Sequence, residues 1–197
     1  MNQLMDRREA LRKTALLMGA AVSASALAGI MQGCKATPEL TYTPSFFTEE
    51  QARIMSELAQ TIIPKTNTPG AKEAGVPGFI DQILKECYKK EDQDKFIAGL
   101  TEFEAAAKAA HGDSFIYLDA EKQLAFVKAQ NEAAVNAVKA DPSQPRPFIL
   151  SAKELTLLGF FTSEPGATQV LQYEAVPGSY KGCIPLTEAG NGKTWAT

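Results

Sequence analysis

The sequence predicts an all-α fold: an irregular bundle of about five helices with long ordered loops and a coil C-terminal tail. Three observations predict it. Across most of the chain after the leader, apolar residues recur at three- and four-residue spacing. The periodic runs open on capping residues and close on proline or glycine. Sustained two-residue alternation, internal repeats and low-complexity blocks are absent from this reading. The resulting elements suit helices packed on helices around one core.

Taken in order, "FFTEEQARIMSELAQTIIP" opens with a capping box, Thr48 with Gln51, and places Met55, Leu58, Ala59, Ile62 and Ile63 on one face before Pro64. "KTNTPGAKEAG" is a loop by its Pro and Gly content. The three prolines at 64, 69 and 77 restrict φ, and Gly70, Gly75 and Gly78 permit tight turns, so residues 64–78 are expected to be ordered. "VPGFIDQILKECYKK" resumes the helical period through Phe79, Ile80, Ile83, Leu84 and Cys87. A third helix runs from about Asp92 to a terminal Gly112, with Phe96, Leu100, Phe103 and Ala107 inward. A fourth has Asp119 as N-cap and Leu124, Val127, Ala134, Val135 and Val138 as its stripe. "DPSQPRP" breaks the pattern. The fifth, "SAKELTLLGFFTSEPG", carries a second capping box from Ser151 to Glu154 and packs Leu155, Leu158 and Phe161. A short helix near residues 168–173 precedes a Gly/Pro-rich coil.

Residues 1–33 read as a signal peptide. Arg7, Arg8, Arg12 and Lys13 form a basic front, and residues 15–30 form an apolar middle too short for a membrane-spanning helix of roughly 20 residues. Arg7-Arg8, with Leu11 and Lys13 behind them, resembles the twin-arginine pattern used to export folded proteins. "IMQGC" resembles a lipoprotein cleavage site that would make Cys34 the lipidated first residue. Residues 34–46 then read as a flexible polar tether, and residues 47–197 as the helical domain. Either way the mature chain is expected to be periplasmic and, if lipidated, membrane-associated.

Removing residues 1–33 takes four of the 20 basic and two of the 23 acidic residues, leaving 16 against 21 and a net charge of −5. That mild acidity argues against a nucleic-acid partner, which wants a basic stripe. If Cys34 carries lipid, Cys87 and Cys183 remain as an even pair in a disulfide-permissive compartment. They are expected to be oxidised, either to each other or with Cys183 bonded to a partner chain and Cys87 buried.

A search for catalytic chemistry finds no strong motif. No pair of cysteines two apart is followed by histidine, so no covalent haem site is present. The three cysteines are too scattered for a zinc or iron–sulfur motif. His111, the only histidine, ends an Ala-rich helix and reads as a solvated or dipole-favoured side chain. Gly70, Gly75 and Gly78 have the wrong spacing for a dinucleotide fingerprint. The Gly-Lys-Thr at 192–194 lacks the upstream loop of a phosphate-binding motif. This chain is expected to carry no catalytic, cofactor-binding or metal residues.

Two stretches carry more information: "LAQTIIPKTNTPGAKEAGVPGFIDQIL" (58–84) and "LTLLGFFTSEPGATQVLQYEAVPGSYKGC" (155–183). Together they resemble the gluconate 2-dehydrogenase subunit 3 family, the small or gamma subunit of membrane-bound flavin dehydrogenases. The resemblance implies a non-catalytic accessory role beside a large flavoprotein of the glucose–methanol–choline oxidoreductase class, often with a cytochrome c subunit. FAD and haem c would belong to those partners, and the substrates would be sugars, sugar acids or glycosides. It also makes Pro69, Gly70, Gly75, Phe160, Phe161 and Tyr180 candidate partner-facing residues. The alternative is a stand-alone exported lipoprotein interaction module without a dehydrogenase partner.

Overall fold

The computed structural model describes residues 37–176, 178, 179, 182–188 and 190–196. Arg7, Arg8, Cys34 and Tyr180 lie outside the described residues. Among the described residues there are five α-helices: α1 (Glu49–Ile62), α2 (Val76–Cys87), α3 (Lys90–His111), α4 (Ala120–Ala140) and α5 (Phe148–Phe161). The chain is all-α, as the periodicity predicts. A 3-10 turn at Phe115–Tyr117 joins α3 to α4, and a π-type turn at Gly166–Val170 follows α5 in place of the short helix expected at 168–173. Trp195 pairs with Gln172 through an isolated bridge: the Gln172 amide donates to the Thr194 carbonyl at 2.7 Å and the Ala196 amide to the Gln172 carbonyl at 2.8 Å.

The helix boundaries show local chemistry at work. Thr48 accepts from the Gln51 amide at 3.3 Å while the Gln51 side chain accepts from the Thr48 amide at 3.0 Å, a reciprocal cap that satisfies two otherwise orphaned donors. Asp119 caps α4 by accepting from the Lys122 amide at 2.9 Å. Gly112 closes α3 with φ of 74°, its amide donating to the Lys108 carbonyl at 2.8 Å.

Helix α5 corrects its expected start. It begins at Phe148 after Pro147, and the amides of Leu150 and Ser151 donate back to the Pro147 carbonyl at 3.1 and 3.3 Å, so Ser151 lies inside the helix. The earlier start buries Ile149 and brings the Phe148 ring within 5.0 Å of Phe96 and 5.8 Å of Phe103. Burying one such side chain stabilises by about 1.5–3 kcal/mol, whereas a serine cap contributes about 1 kcal/mol. Packing wins.

Helices α1 and α5 each contact all four of the other helices, and α5 lies at the centre of the apolar packing. The core spreads from it: Ile149, Ala152, Leu155 and Phe160 of α5 join Met55 and Leu58 of α1, Ile80 and Leu84 of α2, Phe96, Leu100 and Phe103 of α3, and Phe126 and Val127 of α4. Phe115, from the 3-10 turn, is fully buried, and its ring sits edge-on to Phe103 at 5.0 Å. Both backbone polar groups of Phe115 are met by buried side chains. Its amide donates to Glu104 Oε2 at 3.2 Å, and its carbonyl accepts from Gln123 Nε2 at 3.0 Å.

The segment expected as a flexible tether is partly ordered packing. From residue 38 the chain lies on the bundle in extended form, with Leu40, Tyr42 and Phe46 packed against the core and Phe47 buried. Residues 37, 39, 41, 43 and 45 are exposed, whereas 38, 40, 42, 44 and 46 are half-buried. That two-residue period is the signature of an extended chain with one face covered. It was legible in Pro38, Leu40, Tyr42, Pro44 and Phe46 alternating with Glu39, Thr41, Thr43 and Ser45.

Cysteine pairing differs from expectation. Cys87 is the last residue of α2, one turn beyond the buried Leu84 and exposed rather than on the core face; Cys183 lies exposed in the coil, and both thiols are free. The apolar stripe that suggested a buried Cys87 ends at Leu84 because the chain turns away at Tyr88 to begin α3.

Candidate partner-docking surface

Helix α5 is apolar nearly all round, which fits a helix packed against four others. One side nevertheless stays open. Leu157, Leu158 and Phe161 are 36%, 44% and 39% exposed, and the i, i+3 and i, i+4 spacings to Phe161 place them as neighbours on the surface of the last turns. Leu158 and Phe161, expected inside from the sequence pattern, face solvent. Leu155 is buried as expected, and Thr156, Gly159 and Phe160 take the other buried positions of these turns. Thr156 is tolerated at full burial because its hydroxyl donates to the Ala152 carbonyl at 2.7 Å.

The open side continues into a groove of about 430 Å³ between α1, α4 and α5. Its floor includes Ile62, Leu124, Val127 and Ile149, and Lys128, Asn131, Glu132 and Lys153 stand around it. Lys153 is one turn before Leu157 on α5, so the groove and Leu157 share a side of that helix. Leu124, expected in the α4 core stripe, is 41% exposed here; the core face is carried by Gln123, Phe126, Val127 and Ala134. Gln123 displaces Leu124 because it satisfies the buried Phe115 carbonyl. Three solvent-facing apolar residues that neighbour one another in the last turns of α5 make an exposed apolar cluster of the kind that marks interaction surfaces.

The other sequence candidates separate. Phe160 is 3% exposed and belongs to the core, stacked edge-on with Phe161 at 5.4 Å. Gly70 is buried: a Cβ there would stand 2.7 Å from the Lys65 amide nitrogen and 2.6 Å from the Gln60 side chain. Gly70 and Phe160 are thus packing residues, not surface ones. Pro69 is half-buried, and Gly75 is exposed with φ of 74°, a conformation that L side chains rarely adopt. Phe79, four residues beyond Gly75, lies against Gly159, so the entry into α2 abuts α5 just before Phe160 and Phe161.

The loop carrying Pro69 and Gly70 is ordered by specific bonds. The Ala71 amide donates to the Ile63 carbonyl at 2.9 Å, the Lys72 amide to Gln60 Oε1 at 3.0 Å, and the Val76 amide to the Ala71 carbonyl at 3.0 Å. Lys72 pairs with the largely buried Glu57, and Lys65 with Glu73. Ala71, fully buried, anchors the turn.

A second groove, about 670 Å³, lies between α3 and the start of α5. Two ion pairs lie in its lining: Arg146 with Glu154 at 2.9 Å and Lys95 with Asp92 at 3.1 Å. Burial, then the carboxylates of Glu154 and Asp92, raise the phenol pKa of Tyr88 at its edge. His111 is exposed at the end of α3, with its ring edge-on to Phe126 at 5.7 Å. Among the described residues, no group of three or more His, Cys, Asp or Glu side chains is placed to hold a metal ion, and no helix is long and apolar enough to cross a membrane.

No curated protein and no solved structure gives a significant match to this chain. The model of the family described as gluconate 2-dehydrogenase subunit 3 matches residues 49–178, which run from the first turn of α1 through all five helices to just past the π-type turn. The chain belongs to the gluconate 2-dehydrogenase subunit 3 family.

Proposed function

We propose that this chain is the small, non-catalytic accessory subunit of a periplasmic, membrane-associated flavin-dependent dehydrogenase acting on sugars, sugar acids or glycosides. It assists export, maturation or stability of the catalytic flavoprotein. The observation that carries the reading is the open side of α5, because a family named as a dehydrogenase subunit is expected to offer an apolar surface to another chain. Leu157, Leu158 and Phe161 supply that surface. The partner is a large flavoprotein of the glucose–methanol–choline oxidoreductase class, with a cytochrome c subunit as electron acceptor; FAD and haem reside in those chains.

Export supplies the rationale for a cofactor-free bundle behind a twin-arginine-like leader. A flavin is loaded in the cytoplasm, so a flavoprotein without its own address can cross folded only by docking to a chain that has one. Arg7 and Arg8 are that address, and Cys34 is the site of lipid attachment, which holds a membrane firmly only when several acyl chains are present. Replacing both arginines with lysine keeps the charge and removes the recognised pair. The expected result is that this chain and the active flavoprotein both remain in the cytoplasm. Flavoprotein that still reaches the periplasm with its flavin refutes the escort role. Leu158→Ser with Phe161→Ser should abolish co-purification while leaving the melting transition in place. If no flavoprotein co-purifies with the wild-type chain from its native membrane, the stand-alone lipoprotein module becomes the better reading.

A further inference from the structure

The extended strap at residues 38–47 is attached to the bundle in an unusual way. Four donors of the strap converge on one side chain, Asp81 of α2. The Ser45 amide donates to Oδ2 at 2.7 Å and the Ser45 hydroxyl to the same oxygen at 2.8 Å; the Phe46 and Phe47 amides donate to Oδ1 at 3.1 and 2.9 Å. Asp81 is 2% exposed, and three successive backbone donors compensate its charge in place of a cation. Elsewhere the strap is held more weakly. The Tyr42 ring rests on Gly78, 3.5 Å from where a Cβ would stand, but its buried hydroxyl has no hydrogen-bond partner. An orphaned buried hydroxyl opposes docking, since in water it would be satisfied.

We propose that Asp81 is the latch of a releasable strap. With its carboxylate in place, residues 38–47 lie on the bundle; without those acceptors they detach while the five helices stay folded. Two features support separability. The strap contributes extended backbone that no helix needs, because α1 is capped independently by Thr48 and Gln51. Its inward residues Leu40, Tyr42 and Phe46 are half-buried, and Phe47 alone is buried, at the junction of the strap with α1. Release frees ten residues, which at about 3.3 Å each adds roughly 33 Å to the chain between the bundle and whatever holds residue 34. That consequence rests on the N-terminal attachment proposed above. The latch itself does not.

Hydrogen exchange of the full-length protein tests the latch directly. In Asp81→Ala, the Ser45, Phe46 and Phe47 amides should exchange at least about tenfold faster, while amides of α3 and α5 around Leu100 and Leu155 keep wild-type protection. Strap amides that stay protected overturn the proposal, as does equal loss of protection across the helices. If the variant does not fold, the wild type still decides in graded denaturant. The three strap amides must exchange through a smaller opening than those of α3 and α5, and a single shared opening for all of them refutes the latch. Because no readout involves a partner or a membrane, failure here leaves the accessory-subunit reading standing, and failure of that reading leaves the latch standing.

Discussion

Gly99→Ala is the sharpest test of how this bundle is packed, because local and tertiary effects have opposite signs there. Gly99 lies in the middle of α3, where replacing glycine by alanine ordinarily stabilises a helix by about 1 kcal/mol. In the folded chain, however, a Cβ at Gly99 would stand 2.5 Å from Cβ and 3.0 Å from Cγ of Phe148. The Phe148 Cβ is fixed by the first turn of α5, and its ring is held between Phe96 and Phe103 at 5.0 and 5.8 Å. The clash cannot be relieved by swinging a flexible side-chain end; α3 and α5 must separate. Overpacking of this kind costs about 1–3 kcal/mol, so the net change is a loss of up to about 2 kcal/mol. For a domain of this size each kcal/mol moves Tm by about 2–4 °C, giving a fall of up to about 8 °C. Thermal melts followed by circular dichroism at 222 nm measure it, with far-UV spectra confirming unchanged helix content. A rise in Tm would show that α3 and α5 approach less closely than described and would refute the reasoning.

Acid should weaken the wild type more than Asp81→Asn. Burial opposes ionisation of Asp81, but the Phe47 and Ser45 amides, the Ser45 hydroxyl and the Phe46 amide outweigh it and hold its pKa below the ordinary carboxylate value. The folded pKa is depressed, so this contribution is complete above the unfolded value near about 3.9 and is lost as pH falls through the folded pKa. Melts between pH 6 and pH 2.5 with parallel acid limbs for both proteins would show that Asp81 is not a charged acceptor. Cys87→Ser and Cys183→Ser should each change stability by less than about 0.5 kcal/mol, because both thiols are exposed and free. Native protein that fails to consume two equivalents of a thiol reagent at these positions would point to a bond instead. Thr48→Ala should cost about 1 kcal/mol through loss of the α1 cap, read as a lower urea midpoint at unchanged m-value. An unchanged midpoint would mean that the strap, not Thr48, fixes the start of α1.

Much of this protein was determined locally and could be read from the chain. The Thr48–Gln51 and Asp119 caps, the Gly112 terminus and the inward set Phe96, Leu100, Phe103 and Ala107 each depend on residues within a few positions of one another. Their structural consequence follows from helix geometry alone. The same holds for the loop around Pro69 and Gly70, whose composition demanded order. What the tertiary structure decided is every choice between two locally acceptable alternatives. Ser151 could cap a helix, but packing of Phe148 and burial of Ile149 set the start of α5 four residues earlier. Leu124 could face the core, but the Phe115 carbonyl needed Gln123 there. Nothing in "LTLLGFF" tells Leu158 and Phe161 from Leu155 and Phe160, because a helix apolar on all sides has no internal mark of which side its neighbours cover. The exposed face of α5 is therefore a property of how five helices meet, and only their packing could reveal it.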